Sequence, residues 1–225
     1  MLRVTKIHSN LLASKDGPAV TKRGLKSPQP VHLRQSQVDR SCGPHCVFMA
    51  LLTLRLVSRD WLTIGKPTSE LAQMTAVWRR AARTFMSGTT ICDLARLLRP
   101  LSGLVSFEIS RPLHAAYIPF ALDNLMRERL VILRIKSARR WTDHWVLAVG
   151  VEGMEKRKGF APERLLLLDP NDKPIPMLQW NATLAVATIA PRTRARLRTA
   201  SDGKATTVTV HGALAIGRCK RQRAR

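Results

Sequence analysis

The sequence predicts an α+β fold, with helices gathered in the first half and an antiparallel sheet in the second. Three observations carry this. An unbroken apolar run, Val47 to Leu56, follows a Cys-Gly-Pro turn and reads as a buried helix. Two further segments, Pro67 to Phe85 and Ser87 to Leu98, combine helix-start signals with apolar residues at helical spacing. Beyond Gly103 the period changes, and short apolar or alternating runs between turn residues read as strands.

Residues 1–30 are basic and broken by Asp16-Gly17-Pro18 and Ser27-Pro28-Gln29-Pro30, so they read as a partly disordered extension. Val31-His32-Leu33 reads as a short strand. The helix from Cys42 to about Ser58 is apolar nearly all round, which predicts a central buried helix. In the next helix, Pro67 opens the first turn and Leu71, Met74, Val77, Trp78 and Ala81 form the apolar side. The third carries Asp93 in its opening turn. Strands are expected at Leu104–Ile109, Leu130–Ile135, Trp145–Val151 and Leu165–Leu168, with a short helix from Pro119 to about Arg129. The charged segment from Glu152 to Pro162 reads as an exposed hairpin connection. Met177–Trp180 and Leu184–Ile189 read as further strands. Thr206 to Ile216 reads as a hairpin arm ahead of a basic tail, Arg218 to Arg225. The expected organisation is a domain over residues 31–190, between the extension 1–30 and an arm and tail over 191–225.

At 225 residues and 45% hydrophobic content the chain is long enough to bury a real core. Its charge is lopsided: 38 Lys and Arg against 15 Asp and Glu, net +23. Such a field attracts nucleic acid, anionic lipid or acidic proteins. About +9 of it lies in residues 191–225, where ten basic residues face one acid, Asp202. With five Phe and one Tyr, a base-stacking platform is poorly supplied. Cys42-x-x-x-Cys46 has no second Cys pair near it, which argues against zinc, and no Gly-rich phosphate loop is present. The reading therefore calls for no metal and no cofactor. No apolar run approaches the roughly 18 residues of a membrane span and no signal-peptide pattern follows Met1. The expected location is the cytoplasm, or export as an effector without a classical signal peptide.

The chemistry concentrates in Gln35 to Cys46. Gly43 and Pro44 fit a loop-to-helix turn that sets Cys42 at a helix N-terminus, where unpaired N–H groups and the macrodipole favour a thiolate nucleophile. Such a nucleophile needs a base, and His144 heads the strand Trp145–Val151. The strand Leu165–Leu168 ends in Asp169-Pro170-Asn171; if the two strands are neighbours, Asp169 can orient the imidazole. Cys46, one turn beyond Cys42, is the rival nucleophile, and His45 reads as a surface or packing residue.

Gln, Cys42-Gly43-Pro44, His144-Trp145-Val146 and Asp169-Pro170, in this order, resemble the papain-like cysteine peptidases related to the bacteriocin-processing, double-glycine-cleaving peptidases. The resemblance runs from about Val31 to Trp180. It implies a papain-like fold, in which the central helix packs against the sheet carrying the His. It also implies Cys42 as nucleophile, His144 as base, Asp169 as orienter, and a Gln that completes an oxyanion hole with the Cys42 N–H. The family usually places that Gln six residues before the Cys; here Gln37 is five before and Gln35 seven, and Gln37 is favoured. The expected activity is hydrolysis of a peptide or protein substrate through a thioester. Two alternatives remain: a basic protein that binds nucleic acid or anionic membrane on a catalytically silent fold, and an acyl or peptidyl transferase or deamidase using the same residues. Substrate choice would lie in the loops Trp61–Pro67, Ser110–Tyr117 and Ser137–Thr142, with Trp141 a candidate cleft residue.

Overall fold

The computed structural model of the chain describes residues 2–21, 27–36, 39–64, 72–110, 116–137, 143–157, 159–186, 194–199, 203 and 205–219. The expected helix-packed papain-like α+β fold does not form. The chain is organised by a closed six-stranded antiparallel β-barrel with two additional strands, at about 26% helix and 43% strand.

The barrel strands are β6 (Leu130–Ser137), β7 (Asp143–Lys156), β8 (Gly159–Leu168), β9 (Ala182–Ala185), β10 (Arg194–Thr199) and β11 (Ala205–Arg218). Their order is β7-β6-β11-β10-β9-β8, and β8 pairs back onto β7 to close the ring. Two strands join from outside. β1 (Leu2–Ile7) pairs with β7, and β5 (Val105–Ile109) pairs with β11. The segment read as a partly disordered extension thus supplies β1, together with β2 (Leu11–Ser14), β3 (Gly17–Val20) and β4 (Gln29–Pro30), which make a small separate sheet. The segment read as a basic arm supplies two of the six barrel strands.

The physical reasons are local. In β10, Ala195 and Leu197 are buried while Arg196 and Arg198 face solvent, a period-2 pattern whose outward positions happen to be Arg. β11 does not fold back as a hairpin, because the register shift between Val210 and Gly212 is absorbed as a bulge and pairing with β6 continues on both sides. The segment 152–162 is no loose connection: β7 and β8 run through it, since ladder bonds need only backbone groups. From β1, Arg3 reaches Glu152 within it and Glu163 just beyond it, and Lys6 lies 4.4 Å from the Phe160 ring centroid. Met177–Trp180 forms a turn, with Met177 at φ 62°.

The helices are α1 (Cys42–Thr53), α2 (Arg59–Ile64), α3 (Ala72–Ala82), α4 (Ile91–Leu98) and α5 (Tyr117–Met126). α1 ends at Thr53, five residues before the expected end, and Arg55 turns the chain at φ 57°. α4 starts at a full capping box: Thr90 accepts from the Asp93 N–H and Asp93 accepts from the Thr90 N–H. Two cores result. One joins α1, α3 and α4 to one face of β6 and β7, through Met49, Leu52, Leu94, Trp145 and Leu147. The other fills the barrel with Val131, Leu133, Val146, Leu167, Leu197 and Val210 and takes in Ile118 and Ala121 of α5. Among the described residues no helix is long and apolar enough to cross a membrane.

Candidate active site

The barrel register decides where the candidate residues meet. β7 and β8 are antiparallel with Leu147 opposite Leu168. The start of β7 therefore lies beside the end of β8, which brings His144 and Asp169 together: His144 Nε2 donates to Asp169 Oδ1 at 2.7 Å. α1 packs against β7, and Cys42 at the first position of α1 lies close enough to the same imidazole to help raise its pKa. Because Nε2 is committed to Asp169, Nδ1 is the nitrogen left for Cys42. Gly43 permits this approach. A Cβ there would sit 2.2 Å from Thr89 Oγ1 and 2.9 Å from Leu94 Cδ2, so a larger residue would push α1 away from α4.

Cys42 is buried, at 8% exposure, and His144 keeps 18% of its side-chain surface. Burial alone would lower the His144 pKa. The Asp169 charge and hydrogen bond, then the Cys42 side chain, outweigh it and push the pKa up to about 10. Burial likewise would raise the Asp169 carboxyl, but the His144 charge, the His144 hydrogen bond and the Asn171 N–H hold it below the usual carboxylate range. The ground state of the pair is imidazolium with carboxylate. The neighbouring acid does not compete, because Asp143 is paired with Arg134 and with His211 Nε2 at 2.9 Å.

Asp169 is held by a buried network that the sequence did not signal. Asn181, fully buried, accepts from the Asp169 N–H at 2.7 Å and donates from Nδ2 to the carbonyls of Asp169 at 2.9 Å and Lys173 at 3.2 Å. Those two bonds use both Nδ2 protons. His32 Nε2 accordingly donates to the Asp169 carbonyl at 2.9 Å, and burial lowers the His32 pKa, keeping the ring neutral. Asn181 escapes sequence reasoning because its partners here are main-chain atoms. Asn171 gives its N–H to Asp169 Oδ1 at 2.8 Å, and its Nδ2 lies 3.4 Å from His144 Nδ1. The Asp-Pro-Asn turn announces that bond, as Asp side chains commonly accept from the N–H two residues on.

The loop before α1 is clamped by Asp39. Its carboxylate accepts from the Ser36 N–H at 3.0 Å, the Ser41 N–H at 3.0 Å and the Ser41 hydroxyl, and the Ser36 hydroxyl accepts from the Asp39 N–H at 3.2 Å. Against the effect of burial, these bonds hold the Asp39 pKa at about 2. Ser36-x-x-Asp39 has the reciprocal spacing of a capping box, a readable signal. Ser41 makes no side-chain cap to α1; Pro44 has no N–H and the His45 N–H donates to Ser41 O at 2.9 Å, which leaves Cys42 and Gly43 as the first-turn residues whose N–H groups have no capping side chain.

Gln37 and Trp141 lie outside the described residues. Gln35 is tied to the loop after β8: its N–H donates to Pro170 O at 3.0 Å and its side-chain amide donates to Asn171 Oδ1. Cys46 is fully buried within α1, and burial pushes its thiol well above the ordinary value. His45 is a packing residue whose Nδ1 donates to Ser41 O at 2.8 Å, and burial lowers its pKa. No group of three or more His, Cys, Asp or Glu among the described residues is arranged to hold a metal ion. No protein-family model matches this chain, and no curated protein matches it.

Proposed function

We propose that the chain is a cysteine-dependent amide hydrolase acting on peptide or protein substrates. One observation carries the reading: a single imidazole, His144, bonds Asp169 at 2.7 Å through Nε2 and has Cys42, the first residue of α1, beside it. A thiol at a helix start, an imidazole and an orienting carboxylate form the nucleophile–base–orienter set of thiol acyl transfer. The resemblance drawn from Cys42-Gly43-Pro44, His144-Trp145-Val146 and Asp169-Pro170 adds to the chemistry and does not extend to the architecture.

In this mechanism the Cys42 sulfur attacks the scissile carbonyl carbon. Negative charge develops on the carbonyl oxygen, where the Cys42 N–H at the start of α1 stabilises it; Gln37 is the proposed side-chain donor. As the tetrahedral intermediate collapses, His144 gives its Nδ1 proton to the leaving amine, and a Cys42 thioester remains. Water then attacks the thioester while Nδ1 takes one of its protons. The acid product leaves, and the proton on His144 restores the starting pair. Asp169 keeps its carboxylate throughout and fixes the ring through Nε2.

The test is cleavage of a peptide library by the full chain, read by mass spectrometry, with Cys42→Ala, Cys46→Ala and His144→Ala alongside. Cleavage by the wild type and Cys46→Ala, lost in Cys42→Ala and His144→Ala, is expected. Cleavage that persists in Cys42→Ala refutes the assignment.

A further inference from the structure

We propose that the cavity between α3 and α4 is a binding site for a small oligophosphate. Its volume is about 840 Å³, within the roughly 300–1,000 Å³ range of small-ligand sites. Four arginines line it: Arg80 and Arg83 from the α3 side, Arg96 from α4, and Arg99 from the turn after α4. One carboxylate, Asp93, shares the wall and is already committed. It accepts from the Thr90 N–H at 2.9 Å and the Thr90 hydroxyl at 2.7 Å, and it pairs with Arg96 at 2.9 Å.

That leaves Arg80, Arg83 and Arg99 with no carboxylate within ion-pair distance among the described residues. Arg80 is fixed in place by donating from Nη1 to the Arg96 carbonyl at 3.0 Å, which spends one of its donors and leaves the rest of the fork for a ligand. Three arginines without a carboxylate partner around one concavity focus positive potential there. The fork geometry of Arg matches phosphate oxygens two at a time. A single phosphate would engage one fork and leave most of the volume empty. An anion with several phosphates spans the cluster, and an attached organic body can rest on Ala76, Leu97 and Pro100. Its lining shares no residue with the Cys42, His144 and Asp169 site.

The net charge of +23 demands a control for diffuse attraction. The full chain is titrated calorimetrically with sodium triphosphate at constant ionic strength. Two double variants of equal charge loss accompany it: Arg83→Ser/Arg99→Ser in the cavity, and Arg196→Ser/Arg198→Ser on the outer face of β10. Expected are saturable one-to-one binding, an affinity loss of at least tenfold in the cavity variant, and less than twofold in the β10 variant. Adenosine triphosphate is expected to bind at least as tightly as triphosphate. Equal losses in the two variants, stoichiometry well above one, no saturable binding, or adenosine triphosphate more than tenfold weaker than triphosphate would each overturn the proposal.

Discussion

Replacing Asp169 by Asn isolates the charge that the mechanism needs. The new side chain has nearly the same shape, and its carbonyl oxygen can still accept from His144 Nε2 and from the Asn171 N–H, so the geometry at 2.7 and 2.8 Å is retained. What disappears is the negative charge. In the wild type that charge, with the Cys42 side chain, raises the His144 pKa from 6.5 to about 10 against the opposing effect of burial. With the carboxylate gone, burial remains, and the imidazole becomes neutral at all pH above its ordinary value. The Cys42 sulfur then loses the cation beside it. At pH 8 the wild-type ring is about 99% imidazolium, whereas a ring at or below the ordinary 6.5 is about 3% or less. Iodoacetamide labelling of Cys42 at pH 8 should fall with that cation, on the order of thirtyfold in Asp169→Asn. The high-pH limb of the wild-type profile, set by His144, should lie near pH 10. The assay is quenched labelling from pH 4 to 10.5 with the modified site located by peptide mass. An Asp169→Asn labelling rate at pH 8 equal to that of the wild type would refute the reasoning.

Other perturbations test the scaffold. Asn181→Ala leaves the buried Asp169 N–H without its partner and should cost about 2–4 kcal/mol, seen as a Tm drop of about 5–10 °C together with slower Cys42 labelling. Truncation after residue 190 removes β10 and β11; circular dichroism should then show loss of the cooperative thermal transition, whereas trimming a mere arm would preserve it. Gly150→Ala would set a Cβ 2.6 Å from Lys6 O and 2.9 Å from Ile7 Cα, forcing β1 off β7; a loss of about 1–3 kcal/mol in urea unfolding, with the labelling profile unchanged, is expected. Burial lowers the pKa of His8, His32 and His45, so the unfolded chain binds more protons than the folded one below pH 6.5, and stability falls with pH there by up to about 1.4 kcal/mol per unit for each group. His144 works in the opposite sense: its contribution is complete below pH 6.5 and is lost as pH rises through about 10. Urea midpoints from pH 4.5 to 10 should accordingly peak near neutrality.

The candidate site was legible where the closed barrel was not, because the two depend on different kinds of information. Cys42, His144 and Asp169 are marked by residue type at recognisable punctuation: a thiol before Gly-Pro, an imidazole at the head of an apolar strand, a carboxylate before Pro. Any architecture that seats the start of α1 against adjacent ends of two paired strands will bring them together, and the Leu147–Leu168 register does so. Closure of the barrel depends on strands whose hydropathy is unremarkable. In β10 the inward residues are Ala195 and Leu197 and the outward ones Arg196 and Arg198, so averaged hydropathy looks like a solvated tail although the period is that of a strand. In β11 the bulge at His211 breaks the apparent alternation, so one long strand reads as two arms of a hairpin. Net charge obscures both, since positive side chains on the outer face of a barrel do not oppose backbone pairing across its wall. The consequence reaches the site. β7 pairs with β6, β8 and β1, and it carries His144 at one end. A one-residue slip of β7 against β8 would turn its buried set outward and carry His144 away from Asp169. The strands read as a basic arm are thus the ones that, by closing the ring, hold the base and its carboxylate in register.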